Sequence, residues 1–442
     1  MSKVTFISKP IISAALNQSL AGSMRVPGDK SISHRSIMLG AIAEGITEVT
    51  GFLQGEDNLA TVNAFRAMGV EVRQHSDTEL SVKGVGLHGL QAASQTLDLG
   101  NSGTSIRLLS GLLAGQAFDA VLTGDSSLQK RPMRRVTVPL AEMGADIDTA
   151  AGGTPPLAIK GGSSLRAINY AMPVASAQVK SCLILAALYA KGVSRISEPA
   201  PTRDHTERML AGFGFPLRRD DDTVVVDPTN VALRACKVDV PADISSAAFF
   251  LVAASIVPGS DLVLEHVGIN PTRIGVINIL KLMGANIEIN NEREVGGEPV
   301  ADIRVRSAQL KGIAIPEDQV PLAIDEFPVL FVAAACAQGE TVLTGAEELR
   351  VKESDRIQTM ADGLIALGVD AAPKEDGIVI QGGKISGGEV DSHGDHRIAM
   401  AFAVAGLVAE SAITIGDCAN VNTSFPNFLG ISRQVGMDIE AA

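Results

Sequence analysis

The stretch Gly28-Asp29-Lys30-Ser31-Ile32-Ser33-His34-Arg35 sets two cations, a histidine and two serine hydroxyls around a turn that leads into an apolar segment, Ile37 to Ala43. A glycine turn that feeds Ser31 into a helix reads as an N-cap. The first N–H groups of a helix have no partner within it and carry partial positive charge. With Lys30 and Arg35 on that same end, the chemistry indicated is the holding of an anion, most simply a phosphate. An ordinary capped helix with solvated charges would use the same residues. A P-loop is excluded, because Asp29 separates Gly28 from Lys30 and the Walker spacing fails.

Further cations stand at comparable places. Arg107 follows Asn101-Ser102-Gly103-Thr104 by one turn. Gln129-Lys130-Arg131-Pro132-Met133-Arg134-Arg135 is a dense basic run, and Ala200-Pro201-Thr202-Arg203-Asp204-His205 has turn chemistry. Arg350-Val351-Lys352-Glu353-Ser354-Asp355-Arg356 precedes a helical pattern, and His396-Arg397 opens another. Any one basic run reads as a solvated face. Their recurrence at helix starts, in a chain of net charge −13, reads as one shared anion site. The acids complete the pattern. Asp325-Glu326 lies between apolar Pro321 to Ile324 and Phe327 to Ala335. Partial desolvation there would raise a carboxylate toward proton transfer, while its place at a helix start also fits an N-cap aspartate. Glu353 between Lys352 and Arg356 is either locally ion-paired or a proton-transfer group tuned by those cations. His34 and His396 fit a relay or a purely structural role. Such a site suits a reaction between two anionic small molecules, driven by orientation, electrostatics and proton transfer.

The elements that must position these residues recur six times. A helical pattern ends in glycine before a strand-like run at Gly69, Gly144, Gly214, Gly284, Gly368 and Gly436. Each is placed as a left-handed C-cap. In phase with them, polar clusters open Ala/Leu/Val-rich helices at Lys30-Ser31, Asn101 to Thr104, Ser176-Ala177-Gln178, Asp243 to Ser246, Asp325-Glu326 and Asp395-His396-Arg397. The unit reads strand, helix, strand, helix, strand, an α/β layer architecture. Three copies before and three after Val238-Asp239-Val240-Pro241-Ala242 make two similar halves.

Composition sets the outer limits. The chain has 442 residues, 46% of them apolar but only 3% aromatic and none tryptophan. Its core must therefore be built from Ala, Val, Leu and Ile. The acidic balance argues against a nucleic-acid or anionic-membrane partner over the general surface. Cys182, Cys236, Cys336 and Cys418 fit neither a zinc spacing nor a disulfide framework and read as free thiols in a reducing compartment. The N-terminal stretch lacks a signal-peptide pattern, and Ile398 to Ala409 is too short to cross a bilayer. Dinucleotide, Walker and hydrolase-elbow motifs are missing.

With Gly28 to Arg35, Leu99-Gly100-Asn101-Ser102-Gly103-Thr104 plus Arg107, Lys130-Arg131-Pro132-Met133, Arg350 to Arg356 and Gly394-Asp395-His396-Arg397, the chain resembles the 5-enolpyruvylshikimate-3-phosphate synthase (3-phosphoshikimate 1-carboxyvinyltransferase) family over nearly its whole length. Ser176-Ala177-Gln178 and Thr202-Arg203-Asp204-His205 resemble its second, more divergent class. The resemblance implies an α/β fold of two similar domains, each of three βαβαββ repeat units. This is an inside-out α/β barrel of the enolpyruvyl transferase type, with the active site in the interdomain cleft. It implies discontinuous domains, 1–22 plus 242–442 and 23–241, with hinges near Gly22 and Pro241.

The activity implied is transfer of the enolpyruvyl group of phosphoenolpyruvate to the 5-hydroxyl of shikimate 3-phosphate, with release of phosphate. Lys30, Ser31, Arg35, Ser176, Gln178, Arg203, Asp325 and Lys352 would hold shikimate 3-phosphate. Lys30, Gly103, Arg131, Gln178, Arg356 and Arg397 would hold phosphoenolpyruvate, and Gly103 would let the backbone approach closely. Asp325 would accept the proton of the attacking hydroxyl, Glu353 would handle protons at C3, and Lys30 would join them in catalysis. No cofactor and no metal is implied. The partners are the two small-molecule substrates, with no nucleic acid and no membrane, and the enzyme is expected to be a cytoplasmic monomer.

One departure stands out. Many members carry a lysine shortly before a Phe-Pro pair near the C-terminus, whereas Val421-Asn422-Thr423-Ser424-Phe425-Pro426 has none. The alternative activity is that of the sister transferase acting on UDP-N-acetylglucosamine. That enzyme typically carries a loop cysteine and Lys-Asn where this chain has Lys30-Ser31, and no cysteine lies between Gly111 and Arg135. A non-catalytic repeat scaffold would lack matched acids and cations at its helix starts.

Overall fold

The computed structural model describes residues 4–11 and 19–442. Among these residues twelve α-helices form: α1 (Lys30–Ile42), α2 (Glu56–Ala67), α3 (Gly103–Ala114), α4 (Arg134–Glu142), α5 (Ala177–Ala187), α6 (His205–Gly212), α7 (Ile244–Ile256), α8 (Gly275–Leu282), α9 (Phe327–Ala335), α10 (Arg356–Ala366), α11 (His396–Gly406) and α12 (Phe428–Gln434). They are of two kinds. The odd-numbered helices are apolar almost all round and nearly wholly buried, and every residue of α9 is in the core. Such a helix needs neighbours on all sides. The even-numbered ones bury one face, as α4 does with Val136, Thr137, Pro139 and Leu140.

The chain divides into two compact units. One, discontinuous, comprises Met1–Pro27, Pro241–Glu294 and Pro299–Ala442; the other, continuous over Gly28–Val240, also takes in Val295–Glu298. The first crossing lies after Pro27, not after residue 22 as expected, because Ala21–Met24 pairs in parallel with Asp261 to Leu264 and belongs to that sheet. The second lies between Val240 and Pro241. Of the expected N-terminal segment 1–22, residues 1–3 and 12–18 lie outside the described residues.

Among the described residues each unit holds three small sheets. In the continuous unit, Leu97–Asp98, α3, Ala120–Thr123, α4, Ile147–Ala150 and Thr154–Ile159 follow one another as βαβαββ. The first strand is parallel to the second, and the remaining pairings are antiparallel. Asn169–Ala171 to Thr223–Val226 repeats this order around α5 and α6. The sheet beside α1 and α2 takes its first strand, Lys237–Asp239, from the far end of the unit, in parallel with Glu44–Thr50. In the other unit, Ala21–Met24 begins the repeat that α7 continues, so the stretch Gly28–Val240 is inserted between a strand and its helix. The last repeat is completed by Phe6–Ser8, antiparallel to both Ile413–Gly416 and Ile439–Ala441.

The six expected helix-ending glycines all have positive φ, from +81° to +97°. Each closes its helix with the same pair of bonds, as in Val70 N to Phe65 O (3.0 Å) and Gly69 N to Arg66 O (3.1 Å). That is the Schellman arrangement. A second glycine requirement holds α3 against α5: a Cβ on Gly111 would lie 2.0 Å from the Cys182 carbonyl oxygen. Among the described residues no helix is long and apolar enough to cross a membrane.

Candidate active site

The buried helices bring their N-termini together within each unit. In the continuous unit, Asp29 and not Ser31 caps α1, its Oδ1 accepting from Ile32 N at 2.8 Å. Ser31 therefore sits inside the first turn. Lys30 Nζ lies 2.5 Å from Asp57 Oδ2 at the start of α2, and Asn58 Nδ2 donates to the Lys30 carbonyl. Arg35 is only 4% exposed. Its Nε donates to Thr206 Oγ1 (2.7 Å), its Nη2 to Ser181 Oγ (2.9 Å) and its Nη1 to the Ser31 carbonyl (3.0 Å). Burial above all pushes its pKa down to about 10.

The starts of α3 and α5 are tied to each other. Ser102 caps α3 and Ser176 caps α5. Arg107 Nη1 donates to Gln178 Oε1 at 2.6 Å, and Gln178 Nε2 donates to Thr104 Oγ1 at 3.1 Å. Arg131, just after a 3-10 turn, donates to Asn101 Oδ1. A Cβ on Gly103 would lie 2.8 Å from Arg107 Nη1 and 3.0 Å from Arg131 Nη1. Two guanidiniums thus converge on that glycine. Beneath them His34 is fully buried, its Nδ1 2.8 Å from Thr61 Oγ1 and its Nε2 3.4 Å from Ser102 Oγ. Burial first, then Lys30 and Arg35, hold its pKa well below the usual imidazole value. Arg203 is half-buried in its loop before α6.

In the discontinuous unit α7, α9 and α11 meet in the same way. Asp243 caps α7 and Asp395 caps α11, but no side chain caps α9. Its N-cap residue is Glu326, so Asp325 stands one position outside the helix and is not the capping aspartate. Asp325 is surrounded by cations: Arg356 Nη1 at 3.5 Å, Lys352 Nζ at 3.8 Å and Arg397 Nη2 at 4.0 Å. Arg356 is 1% exposed. Its Nη2 is 2.6 Å from Glu353 Oε2 and its Nε 2.8 Å from Asp395 Oδ2. Burial alone would lower the Arg356 pKa, but Asp395, Glu353 and Asp325 outweigh it and hold it above its ordinary value. Burial would likewise raise Asp395, and Arg356 reverses that shift.

All the expected site residues thus fall in one of two clusters, one per unit. Asp57 and Arg273 belong to these clusters and went unnoticed, while Asn101 and Ser245, read from the sequence only as parts of helix openings, join them through Arg131 and Arg273. Their partners lie far away in sequence, which no local spacing reveals. Among the described residues no group of His, Cys, Asp and Glu is arranged to hold a metal ion.

The fold and clusters define a class: a two-unit α/β protein whose repeats gather buried helix N-termini, cations and placed carboxylates within each unit. The profile of the EPSP synthase family (3-phosphoshikimate 1-carboxyvinyltransferase) matches residues 15–431, and the chain belongs to that family. It is 67% identical to a 3-phosphoshikimate 1-carboxyvinyltransferase of Methylococcus capsulatus over 423 residues, 96% of this chain and 97% of that one. The counterpart from Alkalilimnicola ehrlichii is 65% identical, with 95% and 94% covered. A solved structure of EPSP synthase from Acinetobacter baumannii superposes with a TM-score of 0.89 at 56% identity, covering 99% of this chain and 100% of that one.

Proposed function

We infer that the chain transfers the 1-carboxyvinyl group of phosphoenolpyruvate to shikimate 3-phosphate, a step of the shikimate route to aromatic amino acids. The 5-hydroxyl oxygen bonds to C2 of phosphoenolpyruvate as C3 takes a proton. Loss of phosphate from C2 and of a proton from C3 then restores the double bond as an enolpyruvyl ether. The observation that carries the assignment of roles is Asp325, outside the helix start that it would otherwise cap and within 4.0 Å of Lys352, Arg356 and Arg397.

In this reading Asp325 accepts the hydroxyl proton. Glu353, oriented by Arg356, exchanges the proton at C3, and Lys30 assists at the departing phosphate. Lys30, Ser31, Arg35, Ser176, Gln178, Arg203, Asp325 and Lys352 hold shikimate 3-phosphate. Arg35 contributes through the N–H groups left after Thr206, Ser181 and Ser31 are satisfied. Lys30, Gly103, Arg131, Gln178, Arg356 and Arg397 hold phosphoenolpyruvate. The reading takes the enzyme as a cytoplasmic monomer; four free cysteines support a reducing compartment.

Phosphate release from phosphoenolpyruvate tests the reading with two acceptors in parallel. Release with shikimate 3-phosphate alone supports it. Release with UDP-N-acetylglucosamine alone assigns the chain to the sister activity and overturns the roles given to Ser31 and Arg35.

A further inference from the structure

Five of the six buried helices begin with an Asp or Ser whose side chain caps the first turn. The sixth, α9, begins with Glu326, which makes no cap bond. Its side chain is fully buried and turned elsewhere. Oε1 accepts a hydrogen bond from the Ser245 hydroxyl and lies 3.8 Å from Arg273 Nη2 and 3.9 Å from Arg397 Nη1. Oε2 is buried with no hydrogen-bond partner among the described residues. Arg273, itself 3% exposed, donates through Nη2 to Ser245 Oγ (2.6 Å) and to Asp243 Oδ1 (3.1 Å). The Ser245 hydroxyl therefore receives a hydrogen bond from Arg273 and passes its own to Glu326. That fixes the direction of the chain of bonds and the place of the carboxylate.

A buried carboxylate is costly unless its partners repay the lost hydration. A serine in that position would cap α9 without burying a charge, and an aspartate would use its charge in the cap bond. What the glutamate adds is a second acid beside Asp325. Arg397 faces the pair with both arms of its fork, Nη1 toward Glu326 and Nη2 toward Asp325 at 4.0 Å. We propose that Glu326 is a positioning residue: backed by Ser245 and Arg273, it sets the orientation in which Arg397 receives the phosphoenolpyruvate anion. The proposal rests on the role given to Arg397 above.

The sign of the effect separates this from simpler alternatives. Removing a negative charge beside a cationic site, with nothing else changed, would draw an anion in more strongly and lower its KM. Losing the support of Arg397 raises it. Wild type, Glu326→Gln, Ser245→Ala and Arg397→Lys are assayed by phosphate release, each substrate varied against a saturating level of the other. Thermal midpoints are recorded alongside. The expected result for Glu326→Gln is a KM for phosphoenolpyruvate raised about tenfold, with the KM for shikimate 3-phosphate and kcat within about threefold of wild type. Ser245→Ala, which leaves the charge in place, should move the same constant in the same direction by less, and it serves if Glu326→Gln fails to fold.

An unchanged or lowered KM for phosphoenolpyruvate in both variants overturns the proposal. So does a parallel rise of both KM values that tracks lost thermal stability, which would mark a merely structural role. If Arg397→Lys leaves the KM for phosphoenolpyruvate unchanged, the role of Arg397 is wrong and the proposal falls with it. If the wild-type enzyme releases no phosphate with shikimate 3-phosphate, the fault lies in the functional reading itself.

Discussion

Asp325→Asn separates proton transfer from binding. The amide keeps the shape and one acceptor oxygen but removes both the basicity and the charge. Three cations lie at 3.5, 3.8 and 4.0 Å from that carboxylate. At an effective dielectric of about 20, each pair is worth roughly 4–5 kcal/mol of attraction before solvent screening. Asp325 itself keeps 16% of its side-chain surface exposed, so the screened values are smaller. Once the carboxylate is gone, those cations are freer to attract anions, and the KM values of both anionic substrates should hold or fall. Loss of a positioned proton acceptor acts on the transition state instead, and costs about 10²–10⁴ in rate, or ~3–5 kcal/mol. The expected variant therefore binds both substrates and turns over about a thousandfold more slowly. Steady-state phosphate release gives kcat and KM, and equilibrium dialysis of phosphoenolpyruvate in the presence of shikimate 3-phosphate gives binding. A kcat within tenfold of wild type refutes the proton-acceptor role. A thousandfold loss that appears in KM with kcat intact would make Asp325 a binding group only.

Gly103→Ala should displace the Arg107 and Arg131 guanidiniums, which stand 2.8 and 3.0 Å from the added methyl position. Because both are flexible tips, the expected effect is a KM for phosphoenolpyruvate raised about tenfold with little change in thermal midpoint; a collapse of stability would mean that the glycine serves the fold. Gly111→Ala presses a methyl into the Cys182 carbonyl at 2.0 Å, where the obstacle is backbone. A loss of about 2–4 kcal/mol in denaturant unfolding is expected, and an unchanged midpoint would show that α3 and α5 can part. For pH, His34 is held neutral in the fold chiefly by burial. The unfolded chain takes up that proton first as pH falls through about 6.5, so stability drops below that pH by up to ~1.4 kcal/mol per unit. It is fully present above that value. His34→Gln should flatten this part of the pH–stability curve, and an unaltered slope between pH 6.5 and 5 would count against it.

The repeat was legible because its punctuation is backbone chemistry. A Schellman close needs a left-handed residue, and glycine supplies it in all six copies. The buried helices were legible from composition, since Phe327 to Ala335 or Ile398 to Ala405 leaves no polar face to turn toward water. The strand Ala21–Met24 was not, because Ala-Gly-Ser-Met has no strand pattern of its own and its place depends on pairing with residues 261–264. For the site, cations at helix starts stood out against an acidic chain. Which acid meets which cation did not, because Lys30–Asp57 and Arg356–Asp395 form between helices. Capping was misjudged by small shifts: Asp29 in place of Ser31 at α1, and Glu326 in place of Asp325 at α9. A one-residue change at a helix start decides whether a side chain is tied to the backbone or turned toward a ligand.

The strand Phe6–Ser8 has an awkward birth. It leaves the ribosome before α1, yet its partners Ile413–Gly416 and Ile439–Ala441 follow only after α1 to α11 have been made. Throughout synthesis it is an unpaired edge, open to mispairing. The unit spanning Gly28–Val240 draws every strand of its three sheets from its own stretch, including the closing Lys237–Asp239, so its sheets can pair while the rest is still being translated. Assembly is thus ordered by topology. The inserted unit matures first, and the one that surrounds it in sequence stays open until the last strands reach back to the earliest. In a stalled or truncated chain, the exposed strand and the half-built repeat around α11 are where aggregation would begin.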